Sequence, residues 1–254
     1  MITPPFERAL IVGASSGIGE EMARQLAGQG CRVALVARRR ARLESIAASL
    51  NGLPGAGGVD RALTYEHDVT QFDEAPALFQ NICRDLGGLD LFIYAAGVMP
   101  RVAEDEYSFD KDRAMIEVNV LGAIAWTNEV ARRFGRMGSG VIVGISSVAG
   151  DRGRRMQPVY GTSKGALDTY LEAIRNRVGR HGVTVLTAKP GPVVTPMTRD
   201  LGKLPLQIPA DRAAREILAA AQRGDRLVYV PETWRPIMAV LRAIPSALFQ
   251  KLNV

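Results

Sequence analysis

The sequence predicts an α/β protein built on a single doubly wound parallel sheet of about seven strands, with helices on both faces. Three observations carry this. Short, near-continuous apolar runs alternate with helical patterns along the 254 residues, as strands buried on both faces require. Three glycines within seven residues join the first apolar run to the first helix. Polar residues and glycines recur just past the apolar runs, where sheets of this kind bind ligands. With no internal repeat or linker, residues 1–254 read as one domain.

Composition narrows the field. Hydrophobic residues make up 47% and charged ones 23%, a globular balance long enough for a substantial core. The first eight residues lack a basic-then-apolar leader, and no stretch is long and apolar enough to span a bilayer, so a cytoplasmic location is expected. Cys31 and Cys83 have neither metal nor redox spacing and read as buried apolar residues; no metal site is expected. The net charge of +6 raises the question of polyanions. Its clusters, Arg38-Arg39-Arg40 and residues 152–155, are not interleaved with aromatics. Phosphate on a small molecule or lipid is therefore favoured over nucleic acid.

Residues 8–12, Arg-Ala-Leu-Ile-Val, form the first strand and run into Gly13-Ala14-Ser15-Ser16-Gly17-Ile18-Gly19. A helical pattern follows over 20–29. Strand, glycine turn and helix offer free backbone N–H groups and a helix N-terminus to a pyrophosphate. The second strand, 32–37, ends in Arg38-Arg39-Arg40, where an NAD site would place a carboxylate for the ribose 2′-hydroxyl. Arginine there suits a 2′-phosphate and favours NADP(H); Arg40 and Arg42 read as the solvated first turn of the next helix, which runs to about residue 50. A Gly/Pro-rich loop covers 51–58. The third strand, 62–67, ends at Asp68-Val69; 72–86 is helical; the fourth strand, 89–94, ends in Ala95-Ala96-Gly97. Residues 111–137 read as one long helix with Asn119 inside an apolar run, a polar group that must be satisfied if buried. The fifth strand, 140–145, ends in Ser146-Ser147. The next helix extends to about residue 178 and opens with Tyr160 and Lys164, four residues apart and so on one face. A cation one turn away is expected to lower the phenol pKa towards neutrality. The sixth strand, 183–188, leads to Pro190-Gly191-Pro192-Val193-Val194-Thr195; a helix over 210–223 and a strand over 227–230 complete the alternation.

With these motifs in order and at these spacings, the chain resembles the classical short-chain dehydrogenase/reductase family, which has the Rossmann fold, over nearly its whole length. The resemblance implies that Tyr160 gives a proton to a substrate carbonyl and that Ser147, thirteen residues earlier, hydrogen-bonds the same oxygen. Ser146 is the neighbouring competitor, and the spacing selects Ser147. Lys164 would tune Tyr160 and hold the nicotinamide ribose, and Asn119 would hold the water linking Lys164 to solvent. Carried over likewise, Gly13, Ser15, Ser16, Gly17, Ile18 and Gly19 form the pyrophosphate loop, and Asp68 and Val69 lie at the adenine. Ala95, Ala96, Gly97, Pro190 and Gly191 complete the cofactor wall, with Val193 and Thr195 at the nicotinamide amide. Two residues depart from the family pattern: Val12 stands for the usual Thr and Ala95 for the usual Asn. The family also usually pairs as a homodimer or homotetramer through the helices carrying Asn119 and Tyr160.

The C-terminal half further resembles reductases of decaprenylphosphoryl 2-keto-pentoses, which implies a lipid-linked or phosphorylated keto-sugar as substrate. Another hydrophobic ketone or alcohol is the alternative. A non-catalytic dinucleotide-binding redox sensor is the competing class, and the presence of Ser147, Tyr160 and Lys164 argues against it. Residues 195–210, with three prolines, read as a lid over the substrate. Arg152, Arg154 and Arg155 have two readings, ligands for a substrate phosphate or a solvated loop. In 231–254, Trp234, Ile237, Met238, Leu241, Leu248, Phe249 and Leu252 follow helical spacing broken near Pro245. That face either packs on the domain or a second subunit, or lies on a membrane with Arg235, Arg242 and Lys251 at the headgroups.

Overall fold

The computed structural model describes residues 6–53 and 60–252. The expected loop over 51–58 therefore falls largely outside the described residues, as do positions 1–5 of the amino-terminal stretch and the last two of the tail. In chain order the elements are β1 (Arg8–Val12), α1 (Gly17–Gly28), β2 (Arg32–Ala37), α2 (Arg40–Asn51), β3 (Ala62–Glu66), α3 (Ala75–Leu86) and β4 (Leu91–Tyr94). There follow α4 (Phe109–Ile116), α5 (Gly122–Met137), β5 (Val141–Ile145), α6 (Pro158–Val178), β6 (Thr184–Pro190), β7 (Val193–Val194), β8 (Ile208–Pro209), α7 (Ala210–Arg223), β9 (Leu227–Val230), α8 (Trp234–Ala243) and α9 (Ser246–Phe249).

Seven parallel strands form one sheet in the order β3-β2-β1-β4-β5-β6-β9. Its register pairs Val12 with Val36 on one side and with Tyr94 on the other. Successive strand residues face opposite ways, and both faces are covered. Ala9 and Ile11 pack in a core with Met22 of α1, Ile46 of α2 and Ile217 of α7. Leu10 and Val12 pack with Phe79 of α3, Trp126 of α5 and Leu171 of α6. This is why the strand sequences read as unbroken apolar runs. The order reverses between β1 and β4, and the crevice beyond those strand ends is where a ligand binds in such sheets.

Residues 111–137 do not form one regular helix. Between α4 and α5 the backbone widens into a π turn over Glu117–Leu121, with Asn119 at its centre. Regular apolar spacing over 111–137 reads as helix and does not by itself distinguish such a turn. Single π turns concentrate at functional sites.

Two glycines set the site's geometry. Gly13 has φ +95°, and a Cβ there would overlap the backbone of Ala95 and Ala96, so only glycine lets β1 leave the sheet so close to the end of β4. Gly150 lies in the short 3-10 turn Val148–Asp151 after β5. A Cβ at Gly150 would stand 2.8 Å from both the Gly165 nitrogen and the Lys164 carbonyl carbon. The turn carrying Ser147 therefore rests backbone to backbone on α6. Gly150→Val should cost about 1–3 kcal/mol by overpacking, lowering the melting temperature by several degrees, roughly 2–4 °C per kcal/mol for a chain of this size. Calorimetry checks this; an unchanged melting temperature would contradict the contact.

Candidate active site

At the β1 end, Ser16 leads into α1 in extended backbone and no side chain caps the helix. The first-turn N–H groups are thereby left for an anion. Arg39 spans this loop: its guanidinium donates to the Ser15 hydroxyl at 2.8 Å, the Ser15 carbonyl at 3.0 Å and the Ser16 hydroxyl at 2.8 Å. Arg38 is mostly exposed and pairs with Asp68 at 3.6 Å. Burial works to raise the Asp68 carboxyl, but hydrogen bonds from the Thr70 N–H and hydroxyl, together with Arg38, leave it below its ordinary range. Arg40 forms the exposed first turn of α2 as expected, paired with Glu44. Arg42 differs: it grips the buried carboxylate of Glu20 on α1 with two 2.9 Å contacts, so it ties α2 to α1 instead of facing solvent alone.

Ser15, Ser16, Arg38 and Arg39 line a cavity of about 400 Å³ that also takes in Gly13, Gly17, Ile18, Gly19, Val69, Ala95, Ala96, Gly97, Ser147, Tyr160, Lys164, Pro190, Gly191 and Val193. Asp68 borders it through Arg38. Thr195 lies beside Gly17, and its N–H is held by the Thr198 hydroxyl at 3.1 Å. The two departures from the family pattern leave the strand ends joined, since the Ala95 N–H donates to the Val12 carbonyl at 2.8 Å. Glycines at the tight turn, free helix N–H groups and a cationic rim fit a dinucleotide.

Asn119, Ser147, Tyr160 and Lys164 come together at the other end of this cavity. Asn119 is fully buried. Its amide accepts from the Val98 N–H at 2.8 Å and donates to the Val98 carbonyl at 3.1 Å and the Ser163 hydroxyl at 3.0 Å. Its side chain is thus committed to structure. The Ser147 hydroxyl accepts from the Ala149 N–H at 3.1 Å and donates to the Pro190 carbonyl at 3.5 Å, and Tyr160 lines the same cavity. The neighbouring Ser146 is turned to the Lys164 carbonyl at 3.2 Å. Lys164 is 4% exposed, donates to the Ile145 carbonyl at 2.9 Å and stands 5.8 Å from the Tyr160 ring centroid.

The electrostatics correct one expectation. Burial pushes the Tyr160 phenol above its ordinary value, with the Ser147 hydrogen bond opposing. The lowering expected from Lys164 is not seen, because burial dominates. Lys164 itself is pulled down to about 8 by burial, against the pull of Asp168. Its proton is therefore present below that value and lost as pH rises through it.

A second cavity, of about 860 Å³, opens on the same pair and shares Ser147, Tyr160, Gly191, Met197 and Thr198 with the first. Its walls are largely apolar, including Met99, Val102, Val148, Met156, Leu204 and Trp234. β7 and β8 pair at the two ends of the expected lid and bring Met197, Leu201, Leu204 and Pro205 over this cavity. Arg101 fastens the lid by donating to the Asp200 carbonyl.

The arginines before α6 divide. Arg152 does not face the cavity: it donates to the carbonyls of Leu241 at 2.7 Å, Arg242 at 2.9 Å and Ile244 at 2.6 Å, and lies over the Phe249 ring at 4.0 Å. It therefore caps the C-terminus of α8, an arrangement drawn by the unpaired carbonyls there. Arg155 pairs with Glu104. Arg154 lines the second cavity and has no carboxylate within ion-pair distance among the described residues; burial pulls its guanidinium down. The tail packs on its own chain, since Trp234 and Met238 are buried with Val148 and Tyr229. Val240, Leu248 and Leu252 stay exposed. No helix among the described residues is long and apolar enough to cross a membrane. Ser163, Thr198 and His67 also stand at the site, and nothing in local spacing marked them out.

The family model for short chain dehydrogenases matches residues 7–204. An uncharacterized oxidoreductase of Myxococcus xanthus is 31% identical over 245 residues, covering 96% of this chain and 95% of the relative. One of Mycobacterium tuberculosis is 29% identical over 243 residues, covering 96% of each. A solved structure described as a short chain dehydrogenase/reductase family protein superposes with a TM-score of 0.76 at 26% identity, over 88% of this chain and 94% of the other.

The Arg152 cap makes a prediction. Arg152→Ala removes the charge-assisted hydrogen bonds that one guanidinium nitrogen shares among the carbonyls of Leu241, Arg242 and Ile244, of a kind worth about 1.5–3 kcal/mol each in favourable cases, so α8 and α9 should exchange amide protons at least tenfold faster while β1 to β6 do not. Unchanged protection in 234–249 would contradict the capping role.

Proposed function

The chain belongs to the short-chain dehydrogenase family and is an oxidoreductase, and on that premise we propose that it is an NADPH-dependent reductase of a large apolar carbonyl compound. The observation that carries this reading is the meeting of a cavity suited to a dinucleotide and an apolar cavity at one pair of residues, Ser147 and Tyr160.

NADPH, when bound, supplies the hydride. The residues Gly13 to Gly19 and the α1 N-terminus would hold the pyrophosphate. Arg39 would meet the 2′-phosphate, with Arg38 beside it. The Ser147 hydroxyl orients the substrate oxygen, and Tyr160 delivers the proton to it. The phenol stays protonated at neutral pH because burial disfavours the phenolate, which suits it to donate as negative charge develops on the oxygen. Lys164 places a positive charge one turn from Tyr160, and Asn119 holds the π turn against the Val98 backbone and α6.

The apolar walls favour a hydrocarbon-rich substrate, and Arg154 supports an anionic group on it, such as a phosphate. A lipid-linked keto-sugar meets both requirements. The exposed Val240, Leu248 and Leu252, near Arg242 and Lys251 in the chain, would then rest on an anionic lipid surface while Trp234 and Met238 stay within the chain.

Tyr160→Phe should lower turnover by about 10²–10⁴-fold while NADPH still binds, as followed by cofactor fluorescence. Retained turnover would remove Tyr160 from its role. Arg39→Ala should weaken NADPH by roughly 10–100-fold, the worth of a charge-assisted contact, and leave NADH affinity unchanged. Equal losses for both cofactors would contradict the 2′-phosphate assignment.

A further inference from the structure

Four charged side chains converge where β5, β6 and α6 meet. Lys164 and Lys189 are 4% and 8% exposed. The Lys189 ammonium contacts Asp151 at 2.5 Å and Asp168 at 2.9 Å. The Tyr229 hydroxyl donates to the other Asp151 oxygen at 2.7 Å, and the Ser146 hydroxyl is directed to the Lys164 carbonyl at 3.2 Å. Lys164 has no carboxylate within ion-pair distance among the described residues. Its nearest compensation is Asp168, four residues on and so on the same face of α6. Two ammoniums and two carboxylates sum to zero. Removing the Lys164 proton would leave an uncompensated negative charge in a place largely shut off from water.

We propose that Asp168, braced by Lys189 and Asp151, is a positioning residue that keeps the buried Lys164 amine protonated and so keeps the Tyr160–Lys164 pair in its working charge state. This rests on the reading of Tyr160 as proton donor. The directions of titration agree with the geometry. Burial draws Lys164 down and Asp168 opposes it. Burial pushes the Asp168 carboxyl up, with Ser146 and Lys189 opposing. Lys189 ends above its ordinary value because its bonds to Asp151 and Asp168 outweigh burial. The other charged groups nearby are Arg175 on α6, which is turned to the Val185 carbonyl and the Thr187 hydroxyl, and Arg154 before α6. Asn119, from the π turn, is neutral. Tyr160 and Tyr229 are the neighbouring phenols.

The site has the further consequence that Asp151 and Lys189 sit beside working residues in the chain. Asp151 closes the turn that begins after Ser147, and Lys189 precedes Pro190. The same brace thus fixes the elements that carry Ser147, Lys164 and the cofactor wall.

The chain has five lysines, so labelling with [ε-¹³C]lysine gives few NMR signals, and Lys164→Arg identifies the one from Lys164. In the wild type the Lys164 signal should titrate with a midpoint of about 8 or above. In Asp168→Asn the midpoint should fall by about one to three pH units, the effect of removing a close opposite charge, and in Asp168→Glu it should stay near the wild-type value. The alkaline limb of kcat/KM should move down with it in Asp168→Asn, with activity on the acid side retained. An unmoved midpoint, or a uniform loss of activity at every pH, would overturn the proposal. Should Asp168→Asn fail to fold, a wild-type Lys164 midpoint below about 7 would overturn it as well. The NMR titration needs no turnover, so a folded wild type without reductase activity would refute the functional reading while the titration still judged Asp168.

Discussion

The backbone contact between the Gly150 turn and α6 is the constraint on which the site depends. Side chains at Gly150 would push the turn off α6, and with it Ser147 away from Tyr160. The contact also brings Asp151 under Lys189 and Asp168. Hydrogen-bonding groups and charges that are far apart in sequence are thereby held at fixed separations without any flexible side chain setting the distance. Preorganisation of this kind is how a site avoids reorganising at the moment of reaction.

From that contact the chemistry divides into two regions. On one side the glycine loop, the α1 N-terminus and Arg39 make a cationic cleft suited to phosphates. On the other, methionines, leucines and Trp234 make a largely apolar chamber that Arg154 also lines. Ser147 and Tyr160 belong to both. A hydride donor in the first and a carbonyl in the second would meet at the phenol. The tail is built into this arrangement, because Trp234 lines the chamber while Arg152 closes α8 from the turn that bears Ser147.

Much of this was legible in the sequence because its signals are local. The apolar runs of β1, β2, β4, β5 and β6, the spacing of Gly13, Gly17 and Gly19, and the Tyr160–Lys164 interval each lie within one or two elements. What stayed hidden depends on segments brought together by folding. Asp151, Asp168, Lys189 and Tyr229 come from four elements, and only the sheet order makes them neighbours. Arg152 reaches carbonyls about 90 positions away, so its sequence position near the catalytic motif suggested a substrate ligand that the structure does not support. Arg42 likewise found Glu20 across a helix pair. The direction of the Tyr160 titration was misjudged for a related reason: spacing reveals a neighbouring cation but not burial, and burial dominates.

On the proposed function, hydride and proton reach one carbonyl at the junction of the two cavities. Incubation with [4-²H]NADPH, using each C4 diastereomer in turn, and a long-chain ketone tests it directly, with the product alcohol analysed by mass spectrometry and NMR. Deuterium should appear on the carbinol carbon from one of the two diastereomers. Deuterium retained by the cofactor in both cases, or lost to solvent, would contradict it.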